Sequence, residues 1–158
     1  MPHEPNAAQD RPPLYLEDLR VGQRFGSGSV VVEASEIKAF AGKYDPQPFH
    51  LDEEAAKGTL FGGLAASGWH TAAMTMRLLV DGGLPLAGGV IGASGEIAWP
   101  QPTRPGDVLN VESEVVEITP SRSRPDRGMV AMRCATRNQR GEVVQRFTMK
   151  LVVRRRPG

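Results

Sequence analysis

Asp45 and His50 stand close together in YDPQPFHLD (residues 44–52), in a stretch stiffened by Pro46 and Pro48. A histidine titrates near neutrality, and a carboxylate beside it can fix its tautomer or hold a water. The pair is therefore a candidate acid–base couple. The prolines limit the backbone, so both side chains can be presented with little entropic loss. The same residues are also those of a helix stop followed by a helix start. In that reading Asp45 stabilises the turn and His50 packs in the core, which is the commoner meaning of so short a motif.

Two further stretches bear on the choice. LFGGLAASGWH (residues 60–70) is rich in small residues, which allow backbone to approach a neighbouring helix or a ligand closely. Ser67-Gly68 falls where a long helix begins. Free N–H groups at such an end, aligned with the helix dipole, can stabilise a developing oxyanion. Close helix packing with Ser67 as N-cap explains the same residues without chemistry. His70, inside the helix, reads as packing or interface. WPQPTRPGDVL (residues 99–109) carries three prolines and a PGD turn, and by itself marks a rigid loop between strands.

The elements that must position these residues follow from patterning. YLEDLRVGQRFGSGSVVVEA reads as an entry segment running into a strand at Val30–Val32. Ser35 is the expected N-cap of a short helix, SEIKAFAGKY, which Gly42 ends. Because Pro46 and Pro48 push the residues before them to extended conformations, YDPQPFH is expected to be non-helical. A second short helix starts at Asp52. The longest helix runs from Ser67 to about Asp81, with small or apolar residues on nearly every side, so burial all round is expected. Gly82-Gly83 stops it. VIGASGEIAW, DVLNVESEVVEI, GMVAMRCATRN and EVVQRFTMKLVVRR are then four strands, the last two a hairpin across Gln139-Arg140-Gly141. One helix covered by a curved antiparallel sheet is the economical arrangement, an α+β domain.

Composition narrows the classes. The 158 residues suit one domain, expected over 14–158 after a disordered leader at 1–13. A net charge of +1 gives no electrostatic footprint for nucleic acid. The run Arg154-Arg155-Arg156 could touch phosphates, though terminal charge runs are ordinarily just solvated. The single cysteine, Cys134, lies in an alternating strand pattern and reads as a buried structural thiol. It excludes an internal disulfide framework and fits a reducing cytoplasm. No apolar stretch approaches the roughly 20 residues needed to span a bilayer. GSGS (26–29) lacks the spacing and lysine of a phosphate loop, no G-x-S-x-G elbow is present, and no Cys/His cluster supports a metal site.

In combination these stretches resemble the MaoC-like dehydratases, the group that contains R-specific enoyl-CoA hydratases. The resemblance rests on Asp45-Pro46-Gln47-Pro48-Phe49-His50, on Phe61-Gly62-Gly63-Leu64-Ala65-Ala66-Ser67-Gly68, and on the W-x-x-P-x-x-P-G-D turn from Trp99 to Asp107, in that order. It covers about residues 15–155. It implies a hot-dog fold, an antiparallel sheet wrapped around one long central helix. The implied reaction is reversible hydration of trans-2-enoyl thioesters to (R)-3-hydroxyacyl thioesters. Asp45 and His50 would activate the water, His50 would deliver the proton to C2, and the Gly68 N–H would bind the thioester oxygen, with Ser67 and Gln47 beside them. Trp69 and Phe49 are candidates for the acyl pocket. No metal or redox cofactor is implied; the substrate is an acyl-CoA or acyl-carrier-protein thioester, and a homodimer is expected. Gln47 replaces the family's usual Asn, keeping the amide but adding a methylene, so altered substrate preference is expected. The alternatives are a hot-dog acyl-CoA thioesterase, in which Asp45 directs water at the carbonyl, and a non-catalytic acyl-thioester binding domain.

Overall fold

A computed structural model of the chain describes residues 12–158. Most of the leader expected at 1–13 lies outside the described residues. The elements in chain order are β1 (Arg24–Gly26), β2 (Val30–Val31), α1 (Ala34–Tyr44), α2 (Pro48–Leu51), α3 (Glu53–Lys57), α4 (Gly68–Leu78), β3 (Ile91–Ala98), β4 (Val108–Pro120), β5 (Arg127–Arg137) and β6 (Val143–Arg154). The strands form one antiparallel sheet in the order β1-β4-β5-β6-β3, with β2 also pairing to β4. The four strands expected after residue 90 are all present, and β5 and β6 form the expected hairpin. The expected strand at Val30–Val32 is instead two short strands flanking Ser27–Ser29, both laid on β4.

Alternation along the strands decides which face is core. Leu109, Val111 and Val115 of β4, Val130, Met132 and Cys134 of β5, and Met149, Leu151 and Val153 of β6 are buried, while their neighbours point outward. Irregularities between Val115 and Glu117, between Thr136 and Arg137, and between Gly92 and Ser94 bend the strands. The resulting sheet wraps α4, whose buried residues are His70, Thr71, Met74, Thr75 and Leu78. Cys134 is buried as expected; the Ser113 hydroxyl donates to its sulfur at 3.3 Å, and burial pushes the thiol's pKa up.

Several local expectations need correction. α1 begins at Ala34 with Glu33 at the cap, so Ser35 lies inside its first turn, and the helix continues through Gly42 to Tyr44. What stops it is Pro46, which excludes Asp45 from helical conformation; Asp45 has φ −152° and ψ 64°. PFHL is helical after all, because Pro48 occupies the first position of α2, where its missing N–H costs no hydrogen bond. Asp52 then caps α3, its Oδ1 accepting from the Ala55 amide at 2.8 Å. Finally, α4 is not buried all round: Trp69, Ala73, Arg77 and, in the π-helical turn Leu79–Gly83 that follows, Val80 form an exposed stripe.

The helix–sheet contact holds a polar layer that hydropathy patterning does not reveal. Thr75 shares a hydrogen bond with Thr136 (2.7 Å) and accepts one from the Gln145 amide (3.2 Å), while Thr71 donates to Thr103 (3.0 Å). All five side chains are buried and all have partners. An orphaned member would cost about 1–3 kcal/mol, so the layer sets the register of α4 on the sheet. His70 also faces inward from α4, stacked on Phe40 with ring centroids 4.8 Å apart and planes 8° from parallel. Desolvation lowers its pKa, opposed by the Glu36 carboxylate, so burial favours the neutral imidazole.

At the C-terminus, Arg156 does not stand free for phosphates. Its guanidinium bonds Asp18 at 2.6 and 2.7 Å and lies over the Tyr15 ring, and its amide donates to Glu17, clipping the entry segment to the end of β6. Among the described residues no helix is long and apolar enough to cross a membrane.

Candidate active site

Asp45, Gln47, His50, Ser67 and Gly68 come together where the break between α1 and α2 meets the start of α4. His50, the third residue of α2, is 4 % exposed, and its Nδ1 lies 2.6 Å from the Ala65 carbonyl. A carbonyl only accepts, so Nδ1 carries a hydrogen and donates it. In neutral His50 the lone pair is therefore on Nε2, which lies 3.3 Å from Asp45 Oδ2. Two acceptors that close can share one water that donates a hydrogen to each. Phe49 packs edge-on against the imidazole at 4.5 Å and against Phe61 at 4.9 Å, a half-buried wall behind His50.

Asp45 is held as a carboxylate. Its Oδ2 accepts from the Ser67 hydroxyl at 2.7 Å and its Oδ1 from the Gln47 amide at 2.5 Å. The Ser67 bond is the main reason its pKa lies below the ordinary aspartate value; the Gln47 bond and, whenever His50 is protonated, its positive charge add to it, and partial burial opposes it. The longer Gln47 side chain thus turns back onto Asp45, two residues earlier. Ser67 stands at the N-cap position of α4, yet its hydroxyl makes no capping bond. It is committed to the carboxylate, a connection across 22 residues that no local spacing announces.

The first amides of α4, those of Gly68 and Trp69, have no protein acceptor among the described residues. A Cβ on Gly68 would come within 2.7–2.9 Å of the Trp99 indole, so the ring rests directly on the glycine backbone. The indole is fixed there by its N–H bond to Gln145 Oε1 at 3.0 Å and by edge contact with Trp69 at 5.3 Å. Trp69 itself is 61 % exposed and reaches outward from the site rather than lining a closed pocket in the single chain. Gln145 and Arg104 lie near the site without having been singled out by motif reading, and Trp99 was read only as the start of the proline-rich turn. The proline-rich turn signalled only rigidity, although its tryptophan and arginine are the residue types that would repay a search.

The Ser67 bond has a measurable consequence. Ser67→Ala is expected to move the Asp45 carboxyl titration to higher pH, followed by the ¹³C shift of its side-chain carboxyl. Because the folded pKa is depressed, the stability gained from the ionised carboxylate is full above the unfolded value and fades as pH falls through the folded one. The variant is therefore less stable than the parent at neutral pH, and the gap closes in acid. An unmoved titration would show that Ser67 does not hold the carboxylate.

Known proteins resemble this chain in sequence and in fold. The family model for the MaoC-like domain matches residues 18–136. The 3-hydroxybutyryl-CoA dehydratase of Methylorubrum extorquens is 37 % identical over 117 residues, 70 % of this chain and 69 % of that protein. The crystal structure of a MaoC-like dehydratase from Rhodospirillum rubrum superposes with a TM-score of 0.90 at 69 % identity, covering 92 % of this chain and 99 % of that one. The R-hydratase PhaJ1 of Pseudomonas aeruginosa superposes with a TM-score of 0.72 at 26 % identity, covering 91 % and 88 %. With the sheet wrapped on α4 and all three motifs gathered at its start, the chain belongs to the MaoC-like domain family and has its hot-dog fold.

Proposed function

We propose that the chain is a hydro-lyase that reversibly adds water to trans-2-enoyl thioesters, giving (R)-3-hydroxyacyl thioesters. The observation that carries this reading is the 3.3 Å approach of His50 Nε2 to Asp45 Oδ2, an oxygen also bonded by Ser67, the residue just before Gly68. A water held between the two acceptors attacks C3. As its oxygen bonds to C3, one proton passes to Nε2, the C2–C3 π electrons move toward the thioester, and the thioester carbonyl oxygen gains enolate character. The Gly68 N–H stabilises that charge. Nε2 then returns the proton to C2 on the same face, and the second water hydrogen stays on the new hydroxyl. Asp45 orients the water and stabilises the transient imidazolium. The thioester itself acidifies C2, so the scheme draws on no metal or redox cofactor. The relatives named as a 3-hydroxybutyryl-CoA dehydratase and an R-hydratase support the reaction class.

We further assign the active form to a homodimer in the cytoplasm. Among the described residues β3 is exposed along most of its length and its outer edge has no strand partner, and α4 presents an exposed stripe of Trp69, Ala73 and Arg77. Pairing β3 with β3 of a second copy would continue the sheet and remove that open edge.

Crotonyl-CoA and longer trans-2-enoyl-CoAs, with acyl-carrier-protein thioesters in parallel, test the reaction by loss of enoyl absorbance alongside a free-thiol assay. Hydration without thiol release, with an (R)-product on chiral analysis, is the expected result. Thiol release would make the protein a thioesterase, and binding without either reaction would make it a carrier domain. Light scattering at the assay concentration checks the dimer.

A further inference from the structure

The turn between β3 and β4 is bolted in place. Gly106, with φ +84°, donates its amide to the Val32 carbonyl at 2.7 Å, and Val32 returns a bond to Asp107 at 2.8 Å. Buried Asp107 accepts from the Arg104 amide at 2.8 Å and from Gln139 at 3.0 Å. From this fixed base the half-buried Arg104 guanidinium reaches the loop that leads into α4. It donates to the carbonyls of Gly63 (2.9 Å), Leu64 (3.3 Å) and Phe61. Among the described residues no carboxylate pairs with it. The neighbouring Thr103 carbonyl accepts the Ala66 amide at 2.9 Å. Leu64 and Ala66 are thus both pinned to the turn, and between them lies Ala65, whose carbonyl accepts the His50 Nδ1–H and whose amide donates to Phe49.

We infer that Arg104 is a positioning residue: by clamping the carbonyls of residues 61–64 it fixes the Ala65 carbonyl, and through it the tautomer of His50 that leaves Nε2 free toward Asp45. Arginine's planar fork can serve several carbonyls at once, whereas lysine is a point donor on a flexible stem. The consequence for rate rests on the hydratase reading above; the consequence for the tautomer does not.

The test compares the parent chain with Arg104→Lys and Arg104→Ala. Ring ¹⁵N shifts of His50, taken where the imidazole is neutral, are expected to show the Nδ1–H form in the parent and a tautomer mixture in both variants. Turnover is expected to fall about 10–100-fold with KM within about threefold, as a small misplacement of catalytic groups produces. Added ethylguanidinium is expected to restore turnover to Arg104→Ala and to leave Arg104→Lys unchanged. An unaltered tautomer in Arg104→Lys overturns the inference, as does lost turnover that ethylguanidinium does not restore to an otherwise folded Arg104→Ala. If the parent hydrates no enoyl thioester, the hydratase reading alone fails, and the ¹⁵N measurement still decides the role of Arg104.

Discussion

Asp45→Asn is expected to lower the turnover of enoyl-thioester hydration by about 10²–10⁴-fold, the range lost with a positioned acid–base group. The substitution keeps size and shape but removes the negative charge. An amide cannot hold the water with the same oxygen, because one of its two ends is now a donor. Nor can it stabilise the imidazolium that forms when Nε2 takes the water proton. The Ser67 hydroxyl and the Gln47 amide, which both donate to the carboxylate, must compete for one remaining acceptor. KM should change little, since the carboxylate acts on the water rather than on the acyl chain. Thermal unfolding and kinetics on crotonyl-CoA, measured together, separate lost chemistry from lost fold. Turnover within tenfold of the parent would remove Asp45 from the mechanism.

Gly68→Ala is the second large effect, expected at about 10²–10³-fold in turnover, the loss typical of one oxyanion donor. A methyl group here meets the fused-ring atoms of Trp99 at 2.7–2.9 Å. These are not the loose tip of a flexible chain, because Gln145 holds the indole nitrogen and Trp69 blocks one side. Either the ring swings away or the first turn of α4 shifts, and the second displaces the free amides from the thioester oxygen. Alanine is otherwise better than glycine in a helix by up to about 1 kcal/mol, so propensity alone would predict a gain. The clash therefore has a specific signature: Gly68→Ala combined with Trp99→Leu should recover much of the turnover lost by Gly68→Ala alone. Simple additivity of the two losses would mean that the glycine matters for another reason.

Much of this protein was legible before folding. The period-2 alternation of residues 91–154 announced four strands, and the small-residue run ending at Ser67-Gly68 announced the start of the one long helix. Pro46 and Pro48 placed Asp45 and His50 at a rigid break. Those signals are local: each depends on neighbours in the chain, and their order carried the family resemblance. Boundaries were less well determined. α1 ran past Gly42 because a solvent-exposed glycine only weakens a helix, whereas Pro46 forbids its continuation. α2 escaped notice because proline disrupts a helix interior but suits its first turn.

What the chain order left open, packing decided. The ordinary reading of Asp45 as a turn residue and His50 as a core histidine is half true, since His50 is buried and hydrogen-bonded to backbone. Its other nitrogen meets Asp45 only because α2 and the loop before α4 lie side by side. The Ser67–Asp45 bond, the Arg104 clamp and the Trp99 cover over Gly68 join residues 22 to 43 positions apart. Side-chain type shows that such partners are possible; only the closing of the sheet around α4 selects among them. The same closure turned one face of an evenly apolar helix outward, leaving Trp69 exposed where uniform burial was expected. Residue identity and spacing thus set the elements and nominated the acid–base pair. The tautomer of His50, the ionisation of Asp45 and the rigidity of the Gly68 amide depend on distances that exist only in the folded chain.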